Sequence, residues 1–254
     1  MVQQFWDGLL DFVFPRNCLC CQRYIPHLKS RATSTEEFPN VLPFAPVCDS
    51  CLQTVEFNAP PFCLQCSRRL PNLSTGGICA TCARHEIAFD EAWCACIFNT
   101  PMRQMIHAFK YRHKTVLRKT FSNLILNFLD QYKILLRDYH TLMPIPLHAA
   151  RFRERGFNQA ELIAQQLGIS LEMPVKKNLI RTRPTSTQTQ LSSKERFTNL
   201  RGAFRIMHPE DIQGKKILLI DDLLTTGATA SEAAQALKIA GAQRVGVVTV
   251  AITS

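Results

Sequence analysis

The sequence predicts an α/β protein in two parts: a small cysteine-rich module, then a mainly parallel sheet with helices packed on its faces. All 11 cysteines lie between Cys18 and Cys96 and the remaining 158 residues contain none, a composition boundary placed near residue 90. Beyond it strand-like and helix-like apolar patterns alternate, as in a parallel sheet whose crossovers are helical. The 254 residues allow one large or two small domains, expected as 1–90 and 91–254. An apolar fraction of 46% with 20% charged residues excludes a disordered chain.

Glu91 to Phe98 reads as a short strand. A helix is expected from Pro101 to Tyr111, with Pro101 at its first turn and Met102, Met105, Ile106 and Phe109 on one face. A second should run from about Val116 to Leu136, carrying Leu117, Phe121, Leu124, Ile125, Phe128 and Leu129. Then follow a strand near Thr141 to Ile145, a helix near Phe157 to Leu167, a strand at Lys216 to Ile220, a helix at Ala228 to Ala240 and a strand at Arg244 to Ala251. Arg181 to Arg205 breaks the alternation. It is polar and aperiodic, and reads as a long mobile loop with room for a hairpin.

No window reaches the roughly 18 uncharged apolar residues of a spanning helix, because Asp7 and Asp11 interrupt the first apolar run and Asp130 and Lys133 the next. Met1 to Gln4 carry no basic side chain, which argues against a secretory signal. A reducing cytosol is therefore the expected compartment, and there clustered cysteines serve as metal ligands rather than disulfides.

Four cysteine pairs share one spacing: Cys18-x-x-Cys21, Cys48-x-x-Cys51, Cys63-x-x-Cys66 and Cys79-x-x-Cys82. Two intervening residues let a tight turn aim both thiolates at one ion, and two such turns complete a tetrahedral zinc site. The turns are separated by 26 and 12 residues, which suits two sequential ribbons: Cys18, Cys21, Cys48 and Cys51 on one zinc, Cys63, Cys66, Cys79 and Cys82 on another. Interleaved pairing is the alternative. Iron–sulfur signatures crowd their cysteines more closely. Four-cysteine sites have no open position and are structural, and Cys20, Cys94 and Cys96 read as small buried hydrophobes.

A net charge of +10 points to phosphate-rich partners: nucleic acid, nucleotides or an anionic surface. The segment Ile217 to Thr229 is the most specific for chemistry. An apolar strand delivers Asp221 and Asp222, and the turn Thr225-Thr226-Gly227 leads into a helix at Ala228. A helix N-terminus offers unpaired N–H groups to a phosphate, Thr225, Thr226 and Thr229 add hydroxyls, and Gly227 lets the backbone approach closely. The acids would repel a phosphate. Their task is instead to hold vicinal sugar hydroxyls, directly or through Mg²⁺ and water. No Gly-Lys-Ser/Thr follows and no G-x-G-x-x-G is present, so neither a P-loop nor a dinucleotide fold is indicated.

This segment resembles the phosphoribosyl pyrophosphate (PRPP) motif of type I phosphoribosyltransferases. The resemblance implies that Asp221 and Asp222 take the ribose and that Thr225, Thr226, Gly227, Ala228 and Thr229 take the 5-phosphate, with magnesium accompanying PRPP. Pro144-Ile145-Pro146-Leu147-His148, Arg151 to Ala160, Lys110-Tyr111 and the cysteine pairs further resemble the ComF family of competence proteins, over nearly the whole chain and in the order double zinc ribbon, linker, PRPP-binding fold. On this resemblance Pro146, Leu147, His148 and Ala149 form the pyrophosphate loop, Arg155 is a candidate pyrophosphate clamp, and Lys110 and Tyr111 are weaker members of the same site. Without the family, Arg151, Arg153 and Arg155 read equally as a solvated basic face.

From Thr141 to Pro209 there are 11 Lys and Arg against four Glu. Within this basic region the stretch around Thr187, Gln190, Arg196 and Asn199 falls where phosphoribosyltransferases carry a flexible loop. Two functions follow. The ComF resemblance implies natural transformation, in which a PRPP-binding cytoplasmic protein handles or helps transport incoming single-stranded DNA, with Arg181, Arg183 and Arg196 as candidate DNA contacts. Competence helicase or DNA-channel partners would bring it to the inner face of the membrane. The alternative is an active phosphoribosyltransferase that moves phosphoribosyl from PRPP to an unidentified acceptor and releases pyrophosphate.

Overall fold

The computed structural model describes residues 17–25, 46–71, 76–183 and 193–253. Two single-turn helices, α1 (Asp49–Leu52) and α2 (Ala80–Arg84), each open directly after a cysteine. Strand β1 (Glu91–Ile97) leads into α3 (Thr100–Tyr111), whose start is capped by the Asn99 side chain accepting from the Met102 N–H, with Pro101 in the first turn. Helix α4 (Leu117–Gln131) stops short of the expected Leu136. The reason is a C-terminal turn: Lys133 is left-handed at φ 51°, and the Ile134 N–H bonds back to the Leu129 carbonyl at 2.8 Å.

Strand β2 (Thr141–Pro144), helix α5 (Ala149–Arg155) and helix α6 (Gln159–Ser170) follow. α5 was not anticipated as a helix. Its seven residues are bounded by a His148 cap and by Gly156, left-handed at φ 75°. The polar stretch was expected as a loop with room for a hairpin, and among its described residues the hairpin is present and a helix is added. Its flanks pair as an antiparallel hairpin, β3 (Leu179–Arg181) with β4 (Phe204–Ile206), and α7 (Ser193–Leu200) lies between them. Leu200 and Ala203 are fully buried, so a few apolar anchors hold a segment whose composition is polar. Thr187 and Gln190 lie outside the described residues.

Strand β5 (Lys216–Leu224), helix α8 (Ala228–Ile239) and strand β6 (Arg244–Ile252) complete the chain. The main sheet has the order β1–β6–β5–β2 and every pairing in it is parallel, as the alternation predicted. Its central strands are apolar on both faces because both are covered. Phe109, Phe121, Phe128 and Ile163 from α3, α4 and α6 pack over Leu218, Ile220 and Val248. Ala233 and Leu237 of α8, with Leu200 and Phe204, cover Ile217, Leu219 and Val247 on the other side.

The cysteine module straddles the β1 edge of this sheet. Cys18 and Val55 belong to the first core, and Cys63, Cys66, Cys79 and Cys82 to the second. Phe57 bridges antiparallel to Cys96, and the Asn58 N–H donates to the Ala95 carbonyl at 2.9 Å. An open strand edge is thereby closed. Cys94 and Cys96 are fully buried in β1, and burial pushes the Cys94 thiol up to about 12, which suits packing rather than redox chemistry. Cys20 is only partly buried.

β6 crosses closely under Tyr139, whose hydroxyl donates to Glu91 at 2.6 Å. A Cβ on Gly246 would stand 2.7 Å from the Tyr139 ring carbon Cζ. Gly246→Ala is therefore expected to lower stability by about 1–3 kcal/mol in denaturant titration, and Tyr139→Ala in the same chain should remove most of that loss. A loss unchanged by the second substitution would place the clash elsewhere.

Candidate functional site

β2 and β5 are neighbours and run parallel, so the loops leaving their carboxyl ends open on one side of the sheet, the usual place for a ligand in an open α/β fold. A cleft of about 240 Å³ lies there. β5 extends past the expected Ile220, because Asp221, Leu223 and Leu224 still pair with Thr249, Ala251 and Ile252 of β6. Both acids are thus strand residues held by the sheet. Successive strand side chains point to opposite faces, yet at this strand end both acids reach the lining of the cleft.

Asp222 is buried and forms an ion pair with Lys110 at 2.5 Å. Asp221 lines the cleft and accepts from the Asp222 N–H at 2.8 Å. Withdrawal from water, then the neighbouring Asp222 charge, push the Asp221 carboxyl up to about 8, with Lys110 offsetting part of the rise. The family resemblance placed Lys110 at the pyrophosphate loop, as a weaker member of that site. In the structure it lines the cleft with its charge already paired to an acid.

Arg155 is 6% exposed, an uncommon burial for a guanidinium. It donates to Gln159 at 3.0 Å and to the Tyr111 hydroxyl at 2.9 Å, and lies over the Tyr111 ring at 4.8 Å. Its Nε, and Nε2 of Gln159, reach no acceptor, and both residues line the cleft. Buried donors in that condition suit an anionic ligand. Arg181 sits on the cleft wall over the Phe204 ring at 5.5 Å, and burial, then Arg151 and Arg183, lower its pKa while Asp221 raises it.

Gly227 adopts φ 82°, a left-handed turn that joins β5 to α8 and serves as the helix N-cap. Thr225, Gly227 and Thr229 line the cleft. Thr226 does not; its hydroxyl turns back to accept from the Ala228 N–H at 3.4 Å. No described backbone acceptor takes the N–H of Thr226 or Gly227. Of the other expected loop, Pro146 and Leu147 reach the cleft, whereas His148 caps α5 by accepting from the Ala150 N–H at 3.2 Å and Ala149 begins that helix. Asn158 ties the loop to α6 by donating to the Ile145 carbonyl at 3.1 Å and accepting from the Ala160 N–H at the same distance. Arg183 lies outside the cleft and donates to the Arg201 carbonyl. Arg196 is on α7, and its side chain is outside the described residues.

Two residues that meet the cleft or its turn were not singled out from the sequence: Gln159 and, from the cysteine module, Arg68. Arg68, two residues beyond a cysteine turn, donates to the Thr225 carbonyl at 2.8 Å and to the Thr253 carbonyl at 2.6 Å. Nothing in a Cys-Ser-Arg sequence points to a loop 157 residues away. Only the tertiary docking of the module brings the two together.

The cysteines form the two sets expected from spacing. In Cys18, Cys21, Cys48 and Cys51, and again in Cys63, Cys66, Cys79 and Cys82, all four sulfurs lie within 4.8 Å of one another. That fits a single tetrahedral ion in each set, whose Zn–S bonds of about 2.3 Å would separate the sulfurs by just under 4 Å. Backbone N–H groups point at the sulfurs: Cys48 N to Cys18 Sγ at 3.3 Å and Cys79 N to Cys63 Sγ at 3.3 Å. Burial opposes a Cys18 thiolate, but the N–H groups of Cys21, Cys48 and Cys20 bring its thiol down to about 6. Hydrogen bonds from Cys66 and Cys82 hold Cys63 far below the usual thiol range.

Residues 153–252 match the model of the phosphoribosyl transferase domain. The chain is 30% identical to the DNA utilization protein YhgH of Escherichia coli K12, covering 79% of this chain and 88% of that one. It is 31% identical to competence protein ComFC of Bacillus subtilis, covering 69% and 77%. This chain belongs to the ComF family. Competence protein F of Haemophilus influenzae, another member, is 28% identical over 79% of this chain and 88% of its own. The fold expected of the family, a phosphoribosyltransferase-type parallel sheet preceded by paired cysteine sites, is the one found. Among the described residues no helix is long and apolar enough to cross a membrane.

Because the folded-state pKa of Asp221 is raised from 3.8 to about 8, the folded protein keeps a proton that the unfolded chain has lost between those values. Stability therefore falls as pH rises through that window. Asp221→Asn should raise the Tm little at pH 5 and more at pH 8.5. A Tm gain that does not grow with pH would show that Asp221 is ionised throughout.

Proposed function

We propose that this protein binds PRPP, or a closely related phosphosugar, together with Mg²⁺ in the cleft, and handles incoming single-stranded DNA during natural transformation. The observation that supports the phosphosugar most is the convergence in one cleft of the strand-held acids, of Gly227, whose N–H has no described backbone acceptor, and of the donors of Arg155 and Gln159. Asp221 and Asp222 would meet the ribose hydroxyls, and the Thr225–Thr229 turn the 5-phosphate. Arg151, Arg155 and Arg181, beside Pro146 and Leu147, would face the pyrophosphate. Mg²⁺ arrives with the ligand and screens its charge. Phosphoribosyl transfer is the second reading; the arginines that line the cleft suit phosphate better than an acceptor base.

The DNA reading rests on the relatives' names, competence proteins and DNA utilization proteins, and on a surface next to the cleft. Between Glu91 and Asp130 the chain has no acid but six basic residues: Arg103, Lys110, Arg112, Lys114, Arg118 and Lys119. Tyr111 and Phe152 are 49% and 46% exposed among them and the arginines of α5. Cations that follow a phosphate backbone, interleaved with rings on which bases stack, suit a single strand. Arg183 and Arg196, with Arg181 at the cleft wall, are proposed as further DNA contacts. The cysteine sets are proposed to hold zinc, and the protein to work in the cytoplasm, reaching the inner face of the membrane through helicase or channel partners.

Metal analysis of the full chain should return two zinc ions, and a single ion would remove one tetrad. Single-stranded DNA affinity measured across a salt series, with and without Mg²⁺–PRPP, tests the whole reading. Arg112→Glu with Lys114→Glu, both outside the cleft, should weaken DNA binding at least tenfold at low salt and leave PRPP binding intact. Asp221→Ala with Asp222→Ala should abolish PRPP binding. Pyrophosphate release in the same samples, without DNA affinity, would favour the transferase.

A further inference from the structure

Arg68 connects the second cysteine tetrad to the turn before α8 by a short, fully specified path. Cys63 to Arg68 form a closed knuckle, in which the Ser67 N–H donates to the Cys63 carbonyl at 3.0 Å and the Cys63 N–H to the Arg68 carbonyl at 2.7 Å. Ser67 is left-handed at φ 64°, a conformation that an L-residue keeps only when its surroundings enforce it. They do so on two sides: the buried Asn58 amide donates to the Ser67 carbonyl at 2.7 Å, and the Cys94 N–H of β1 donates to the Ser67 hydroxyl at 3.3 Å. The guanidinium that leaves this knuckle has its two terminal nitrogens on the Thr225 and Thr253 carbonyls.

The direction of those bonds matters for the cleft. In a planar trans peptide the C=O and the following N–H point opposite ways. Holding the Thr225 carbonyl on Arg68 therefore fixes the Thr226 N–H in the opposite direction, next to the N–H of the left-handed Gly227, which lines the cleft. Two adjacent N–H groups aimed into a concavity are an anion nest. The same knuckle supports the turn from beneath. Gln65, between the tetrad cysteines, donates to the Ile87 carbonyl at 3.2 Å, and the buried Phe89 ring would lie 3.6 Å from a Cβ on Gly227.

We propose that the metal at Cys63, Cys66, Cys79 and Cys82 preorganises the phosphate turn through Arg68, so that metal and phosphosugar stabilise one another's binding. Arg68 is a positioning residue, pointing away from the ligand on the far side of the peptide that the ligand would meet. Linkage makes the effect reciprocal: whatever the metal contributes to ligand affinity, the ligand returns as metal retention. The ligand half rests on the phosphosugar reading; the brace itself does not.

The test uses the full-length metal-loaded chain, with Arg68→Ala and the milder Arg68→Lys. Amide hydrogen exchange at Ser231 and Thr253, whose N–H groups donate to the Gly227 and Leu224 carbonyls on either side of the turn at 2.8 and 3.1 Å, is measured without ligand, and removal of the second metal by a zinc-selective chelator is timed with and without Mg²⁺–PRPP. Arg68→Ala should keep both metals yet exchange these two amides about tenfold or more faster, the scale of losing charge-assisted hydrogen bonds. Arg68→Lys, able to reach one carbonyl, should fall between. PRPP should slow metal loss from the wild type and not from Arg68→Ala. Unchanged exchange in both variants would overturn the brace. Wild-type metal loss indifferent to PRPP that does bind would overturn the coupling. Wild type that binds no PRPP would sink the phosphosugar reading and with it the coupling, while the exchange data still decide the brace. If Arg68→Ala does not fold, Arg68→Lys alone decides the brace and the coupling.

Discussion

The cleft depends on the way β5 turns into α8. Asp221 and Asp222 are still paired in the sheet, Gly227 reverses the chain at φ 82°, and α8 begins one residue later. Within this short stretch the protein presents carboxylates and N–H groups with no described backbone acceptor side by side, groups that would seek opposite charges. The cluster is tolerable because each group has an outside support. Lys110 neutralises Asp222, the raised pKa lets Asp221 hold a proton near neutrality, and Arg68 fixes the turn from behind.

Those supports come from distant parts of the chain. Lys110 lies at the end of α3, Arg155 at the end of α5, Arg181 in the hairpin and Arg68 in the cysteine module. The elements that carry them pack on both faces of the sheet and on its β1 edge, which explains why the cysteine knuckles are distributed between two cores. A metal-stabilised module of this size would have little core of its own. Docked on β1, it gains that core and supplies the turn with a brace.

The family relationship and the geometry meet at the same residues. The segment from Arg151 to Ala160 resembles the ComF family, and in the structure it forms a short helix, a left-handed exit at Gly156 and the Asn158 cap that joins the cleft loop to α6. Residues that read as a run of surface charge thus divide their labour. Arg155 is buried against Tyr111, Arg151 lines the cleft, and Arg153 stays in solvent beside the exposed Phe152.

Local pattern by itself determined much of this protein. Strand and helix periods placed β1, α3, α6, β5, α8 and β6 within a few residues, two-residue cysteine spacing named both tetrads, and the acids and Thr-Thr-Gly turn marked the cleft, because such features arise from neighbours in sequence. What only the tertiary structure decided involves partners far apart along the chain. The hairpin, for which the sequence only left room, and α7 rest on a few buried side chains within a polar stretch, so periodicity could not place them. The ion pair of Lys110 with Asp222, the burial of Arg155 and the reach of Arg68 to Thr225 exist only once the sheet has brought those segments together, and a charged side chain carries no local sign of which distant group it will meet.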